Sequence, residues 1–381
     1  MINSQKIKRQ TQFVDKWSRQ YRGNGTGQFP TGFGKTYCAI QAIKRIIEKH
    51  KFINCLIIIP TQVLKLQWER ILNTEIFENK EIYYFKNTEK PNINIEVCII
   101  NSAIKNNKYY NNNYDLLILD EIHRYLADSF IKIFKIPHNW IMGLSATVNR
   151  KDGRHELLKE LCPVMDTITV QEAKKNEWIS DYKINKIKVI PSVKNKNIID
   201  ILSKNITEIL QRNGGHFKIK LSPEYSQFNK LVGQRRKLVC GDENKMFEAL
   251  KIIRRVNQKS IIFFEYIEHA ETFYEMLIKY EHLKPCIYHS SIPINLRKHI
   301  LEKFEKGEYR TLITVKSLNE GIRVNGASMG IICAANSVPR DTIQRLGRFL
   351  GYKKGKTAKL YQMILVGTVD ETWNKSNSNE I

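Results

Sequence analysis

Apolar residues recur along this chain in alternating helical and strand rhythms. Ile7, Phe13, Val14 and Trp17 stand at helical spacing and predict a short amphipathic helix, followed by a Gly- and Asn-rich loop over 21–27. The pattern over 37–51 predicts a helix, and the β-branched run 52–59, stopped by Pro60, predicts a strand buried on both faces. Further strands are expected over 82–85 and 95–100, in the apolar run that opens at Tyr114, and over 140–144. Residues 105–113 read as a surface loop in which Tyr109 and Tyr110 either lie on the surface or stack on bases. Between 172 and 196 the rhythm dissolves into charge clusters around a short strand-like 187–190, which places a hinge near 185. Helical patterns fill 198–255, broken at Gly214-Gly215 and Gly233, and carry the basic cluster Arg235, Arg236 and Lys237. A second strand-helix rhythm then runs through 261–264, 269–279, 286–289, 310–314 and 330–334. The fold class is therefore α/β, two parallel-sheet lobes in tandem with a helical segment between them: one lobe over 1–185, the other over 186–381 with a helical prelude at 198–255.

The 381 residues suit two domains, and a hydrophobic content of 42% suffices for two cores. Lys and Arg outnumber Asp and Glu by 62 to 38, a formal charge of +24. That excess points to a polyanion, with nucleic acid as the expected partner. No apolar run approaches the ~20 residues of a membrane span, and the first residues are too polar for a signal peptide, so a soluble cytoplasmic protein is expected. The seven cysteines, none in a Cys-x-x-Cys pair, read as reduced core residues without zinc or disulfides.

Candidate chemistry concentrates in Gln28-Phe29-Pro30-Thr31-Gly32-Phe33-Gly34-Lys35-Thr36. Gly32 and Gly34 allow a tight turn, Lys35 offers an ammonium to the outer phosphates, and Thr36 offers a hydroxyl to magnesium. The helix that follows would point its positive end at the anion. Downstream, Asp120 and Glu121 close an apolar strand, the sheet edge where ligands bind in open α/β folds. Asp120 is placed to hold magnesium and Glu121 to orient and deprotonate water at the γ-phosphate. His123 is spaced to sense that phosphate, and Ser145 and Thr147 end the next strand.

In this order the cradle, Asp120-Glu121-Ile122-His123 and Ser145-Ala146-Thr147 resemble the motifs of superfamily 2 DNA and RNA helicases, the DEAD/DEAH-like group. Asn149 to Arg154 resembles the sequel found in phage, viral and repair-type branch-migration DNA helicases more than that of DEAD-box RNA helicases. The resemblance implies ATP and Mg2+ in a cleft between two RecA-like lobes, with nucleic acid, DNA ahead of RNA, across both. It implies adenine reading by Gln10 and nucleotide contacts from Thr31, Gly32, Phe33, Gly34 and Gly321. Pro60 and Thr61, with Leu64, Gln67 and Trp68 behind them, resemble a segment that grips a nucleic-acid backbone, although Thr61 is equally a plain helix cap. Asn101, Ser102, Thr314 and Arg345 are carried over as further backbone contacts. His123, Ser145 and Thr147 are carried over as coupling residues, and Gln344 and Arg348 as catalytic ones, Arg348 as the arginine finger.

Two positions depart from the family pattern. Arg323 stands where the family has Asp, and Gly351 stands where it has a second arginine. Lys353, Lys354 or Arg323 replaces the missing charge, or turnover is weak without a partner. The expectation is a nucleic-acid-dependent ATPase that unwinds, migrates or remodels DNA, with a possible protein partner in a repair, replication, transcription or defence assembly. RNA remodelling, the motor of a restriction complex and a binding module with a weakened ATPase stay open beside it.

Overall fold

A computed structural model describes residues 4–77, 92–150, 152–179, 181–215, 218–315, 327–334 and 357–376. The chain divides into two compact units, the first taking in Met1–Ser180 and the second beginning at Asp181.

The first unit is built on a six-stranded sheet with order β3-β2-β4-β5-β1-β6, formed by β1 (Asn24–Gln28), β2 (Ile53–Ile59), β3 (Ile93–Ile99), β4 (Tyr114–Asp120), β5 (His138–Ser145) and β6 (Val164–Thr167). Every pairing is parallel. Parallel strands are covered on both faces, which is why β2 and β4 are almost continuously apolar: Leu56, Ile58, Leu117 and Leu119 are fully buried in one core. Three longer helices belong to this unit: α1 (Ser4–Arg19), α2 (Lys35–His50) and α3 (Gln62–Glu75). Helix α1 buries Phe13, Val14 and Trp17, the residues whose spacing predicts it. Its Arg9 forms a two-pronged ion pair with Asp166 of β6 at 2.7 and 2.6 Å. The register matters for function. Asp120 lies opposite Leu144 and Gln28 opposite Ser145, so β4, β5 and β1 end together at their C-terminal edge.

The second unit has its own six-stranded parallel sheet with order β7-β12-β11-β8-β10-β9. Its strands are β7 (Asp181–Val189), β8 (Ser260–Phe264), β9 (Pro285–Tyr288), β10 (Thr311–Val315), β11 (Met329–Ile332) and β12 (Thr357–Leu365). The longer helices here are α4 (Val193–Arg212), α5 (Tyr225–Cys240), α6 (Glu243–Val256), α7 (Ile267–Ile278), α8 (Ile294–Lys306) and α9 (Val369–Ser376). Helices α4 and α5 carry a small core of their own around Ile206, Ile209, Ile219 and Phe228. A buried ion pair joins α6 to α9: Lys245 Nζ donates to Asp370 Oδ2 at 2.7 Å, and the Leu365 N–H at the end of β12 donates to the same oxygen at 3.0 Å.

Several expectations shift. Asn185, near the expected hinge, lies inside β7, a nine-residue strand paired with β12 along its whole length. This strand stands at the end of the sheet order, and its Lys183, Lys186 and Lys188 are exposed, the lysine marking of an edge strand. Gly233 is no break; it lies within α5, where an added Cβ would meet nothing within 4 Å. The loop expected over 105–113 contains a helical turn, Lys108–Asn111, and Tyr109 is buried with its hydroxyl donating to Glu96 Oε1 at 2.6 Å, so it offers no ring for stacking. The basic cluster on α5 is engaged within its own unit. Arg236 lies 3.4 Å from Glu265 and against the Trp373 ring, Lys237 pairs with Glu268 at 2.8 Å, and Arg235 donates to Ser203. The strand expected over 82–85 lies outside the described residues. All seven cysteines are free and buried. No helix among the described residues is long and apolar enough to cross a membrane.

Candidate active site

The site is assembled where β1, β4 and β5 end. Beyond Gln28 the chain turns through Gly32 (φ 90°) and Gly34 (φ 104°), left-handed conformations that only glycine adopts without strain, and enters α2 at Lys35. Gly34 is also hemmed in, since a Cβ there would stand 2.5 Å from Nε2 of Gln10. The N–H groups of Gly34, Lys35 and Thr36 open α2 and meet no acceptor among the described residues, the arrangement that receives an anion.

A loop residue and a residue of α1 behave differently from expectation. Phe33 is fully buried, packed against Phe29 at 5.1 Å and Trp178 at 5.6 Å, and its N–H is engaged by Pro30 O at 3.1 Å. Its ring therefore belongs to the core, because the apolar side of the loop faces inward. Gln10, expected at the adenine edge, is 4% exposed and donates Nε2 to Phe33 O at 2.7 Å. In this geometry it holds the loop.

Asp120 ends β4 almost entirely buried, at 5% exposure, and receives the Trp68 indole N–H at 2.9 Å and the Glu121 N–H at 3.1 Å. Burial, and then the neighbouring Glu121 charge, push its pKa up to about 6, while the Lys35 ammonium and the two N–H donors oppose the rise. Trp68 is 1% exposed and turned into the site, where its indole N–H holds the Asp120 carboxyl. Lys35 Nζ lies 3.4 Å from Phe29 O and is near enough to act on Asp120.

Glu121 follows in a left-handed conformation, φ 56° and ψ 51°, uncommon for a residue with a side chain. That twist brings its carboxylate toward the end of β5. Oε2 lies 3.5 Å from both His123 Nδ1 and Ser145 Oγ. His123 Nδ1 and Ser145 Oγ are 2.8 Å apart, and Ser145 Oγ stands 2.6 Å from Thr147 O and 3.3 Å from Thr147 N. A hydroxyl has one proton. With it on Thr147 O, Oγ accepts from Thr147 N–H and from a His123 ring protonated at Nδ1. Arg150 closes the far side, donating Nη1 to His123 O at 2.8 Å while it pairs with Asp152. The three expected coupling residues are thus joined to the expected general base.

Of the proposed nucleic-acid contacts, Pro60 is buried, and Thr61 caps α3 by accepting from Leu64 N at 3.5 Å. Asn101 and Ser102 are exposed on the short helix Ile100–Lys105, just beyond β3. Thr314 is fully buried in β10 with its hydroxyl donating to Val315 O at 3.1 Å, so that hydroxyl is not exposed to a ligand. Gly321, Gln344, Arg345 and Arg348 lie outside the described residues, as do Arg323, Gly351, Lys353 and Lys354.

Comparison with known proteins places each half. Residues 4–150 match the family described as the res subunit of type III restriction enzymes, and residues 244–350 match the helicase conserved C-terminal domain. The DNA 3'-5' translocase XPB2 of Sulfurisphaera tokodaii is 28% identical over 379 residues, covering 95% of this chain and 82% of that protein. The chain belongs to the superfamily 2 helicases. This helicase is accordingly an ATP-hydrolysing enzyme that binds nucleic acid. A putative ATP-dependent RNA helicase, QP509L of African swine fever virus, is 31% identical over 137 residues, 34% of this helicase and 26% of the viral protein. Among solved structures, the Hef helicase domain of Pyrococcus furiosus matches the fold over all of both chains, with a TM-score of 0.62 at 16% identity.

Proposed function

We propose that this helicase is a Mg2+- and ATP-dependent motor on DNA, a 3'-5' translocase or duplex-remodelling enzyme. The observation that carries the reading is the joined constellation at the sheet edge. Glu121 is held in a rare backbone conformation beside Asp120, within 3.5 Å of both His123 and Ser145. Such a link is what a motor needs, since the group that handles water must also report the state of the phosphate.

Lys35 and the first N–H groups of α2 bind the phosphates. Glu121 takes the proton of the attacking water. His123 and Ser145 pass a change at Glu121 to Thr147 and, through Arg150, to the segment beyond β5. Thr36 and Asp120 would hold a magnesium ion, since a hydroxyl and a carboxylate are the hard oxygen donors that suit Mg2+. The ion would supply positive charge to offset the negative charge on the phosphates. Arg348 remains the proposed arginine finger. DNA is favoured over RNA because the translocase relative is matched over nearly the whole chain, whereas the viral RNA helicase is matched over a third of it.

The test is ATP hydrolysis by the wild type and Glu121→Gln, each alone and with single-stranded DNA, forked duplex or RNA. DNA-stimulated hydrolysis that falls by roughly 100-fold or more in the variant is expected. Stimulation by RNA alone would replace the DNA reading. Tight nucleic-acid binding without hydrolysis would make the chain a binding module.

A further inference from the structure

A loop that turns its N–H groups toward an anion turns carbonyls the other way, and those carbonyls need donors. Gly32 O receives Lys6 Nζ at 2.8 Å. The same ammonium donates to Trp178 O, also at 2.8 Å, and stands 5.9 Å from the centre of the Phe33 ring, which packs against Trp178. One half-buried lysine on α1 therefore joins the phosphate loop to the last turn of the first unit, only a few residues before β7 begins at Asp181.

We propose that Lys6 is a positioning residue for the nucleotide, an inference that rests on reading the loop as the ATP cradle. Its ammonium holds the Gly32 carbonyl on the outer side of the loop and fixes the loop against Trp178. The N–H groups of α2 then face the phosphates before any nucleotide arrives. Its positive charge also stands behind the loop, on the side the anion does not reach. Lys6 touches no phosphate and takes no part in the chemistry. It is not needed to seat α1, because the Arg9–Asp166 pair and the buried Phe13, Val14 and Trp17 already do so. Loss of Lys6 should consequently loosen the loop and its tie to Trp178 while α1 stays in place.

The effect is read on the full chain by titration with a fluorescent ADP analogue and by DNA-stimulated ATP hydrolysis, comparing wild type with Lys6→Met, Lys6→Gln and Lys6→Arg. Methionine keeps the stem and removes the donors, so analogue affinity should fall by about tenfold, the size of one hydrogen bond from a charged group. KM for ATP should rise in step while kcat stays near wild type. Arginine, which can span two carbonyls, should recover most of the affinity, and glutamine, which reaches one, should fall between. The thermal midpoint should drop by no more than about 3 °C. Wild-type affinity in Lys6→Met would overturn the inference and leave the cradle reading standing, and so would a loss of kcat at unchanged KM. Absence of nucleotide binding by the wild type would overturn the cradle reading itself.

Discussion

At Asp120 the needs of the site and the needs of the fold are opposed. Its carboxyl is buried beside a second carboxylate, and its pKa rises from 3.8 to about 6. A pKa raised on folding means that the folded state holds the proton more tightly than the unfolded chain. Its contribution to stability is full below pH 4 and is lost as the pH rises through 6. Nucleotide-free Asp120→Asn should therefore gain stability relative to wild type as the pH rises from 4 to 7.5, because the variant has no buried carboxylate to ionise. The gain should vanish near pH 4, as urea titrations at the two pH values will show, and hydrolysis should be abolished. Trp68→Phe removes a donor that favours the ionised form, so the acid limb of hydrolysis should move to higher pH. Lys35, Asp120 and Glu121 are legible in the sequence because each stands in a short string whose neighbours suit the same chemistry. Trp68, Lys6 and Arg150 are not, because their partners come from distant strands and loops. Phe33 and Thr314 show the converse limit, since residue type alone does not say which side of a loop or strand a group faces.

Among the elements, the apolar strands β2 to β5 and β8 to β11 are legible, whereas β1, which reads as a Gly- and Asn-rich loop, and β6, β7 and β12 are not. Strands β2 and β4 read as unbroken apolar runs because both faces are covered, whereas β7 presents exposed lysines that mimic a charged linker. Helix α5 escapes for a different reason: Gly233 lies on an open face, where its lack of a side chain leaves no gap. A further consequence concerns the buried pair that ties α6 to α9. Asp370→Ala would strand the Lys245 ammonium in a fully buried site and should destabilise the second unit by about 3–5 kcal/mol in urea unfolding. Pairing that change with Lys245→Met removes the stranded charge and should recover much of the loss.

For the whole molecule, the net charge of +24 is unchanged by internal pairs such as Arg9–Asp166, each of which cancels itself. Phosphate contacts release counterions, so DNA affinity should fall at least about a hundredfold between roughly 50 and 200 mM salt. It should be indifferent to base sequence, a result that filter binding with scrambled oligonucleotides will check. The pairing of β7 with β12 has a consequence for how the molecule is made. The first unit's described strands have all been synthesised by Thr167, so its sheet can form while the chain is still being extended. The second sheet cannot close in the same way, because the strand that joins β7 to β11 is the last of the described strands to be translated. Until Leu365 has emerged from the ribosome, β7 must wait without a partner, and its lysines keep that waiting strand in solution.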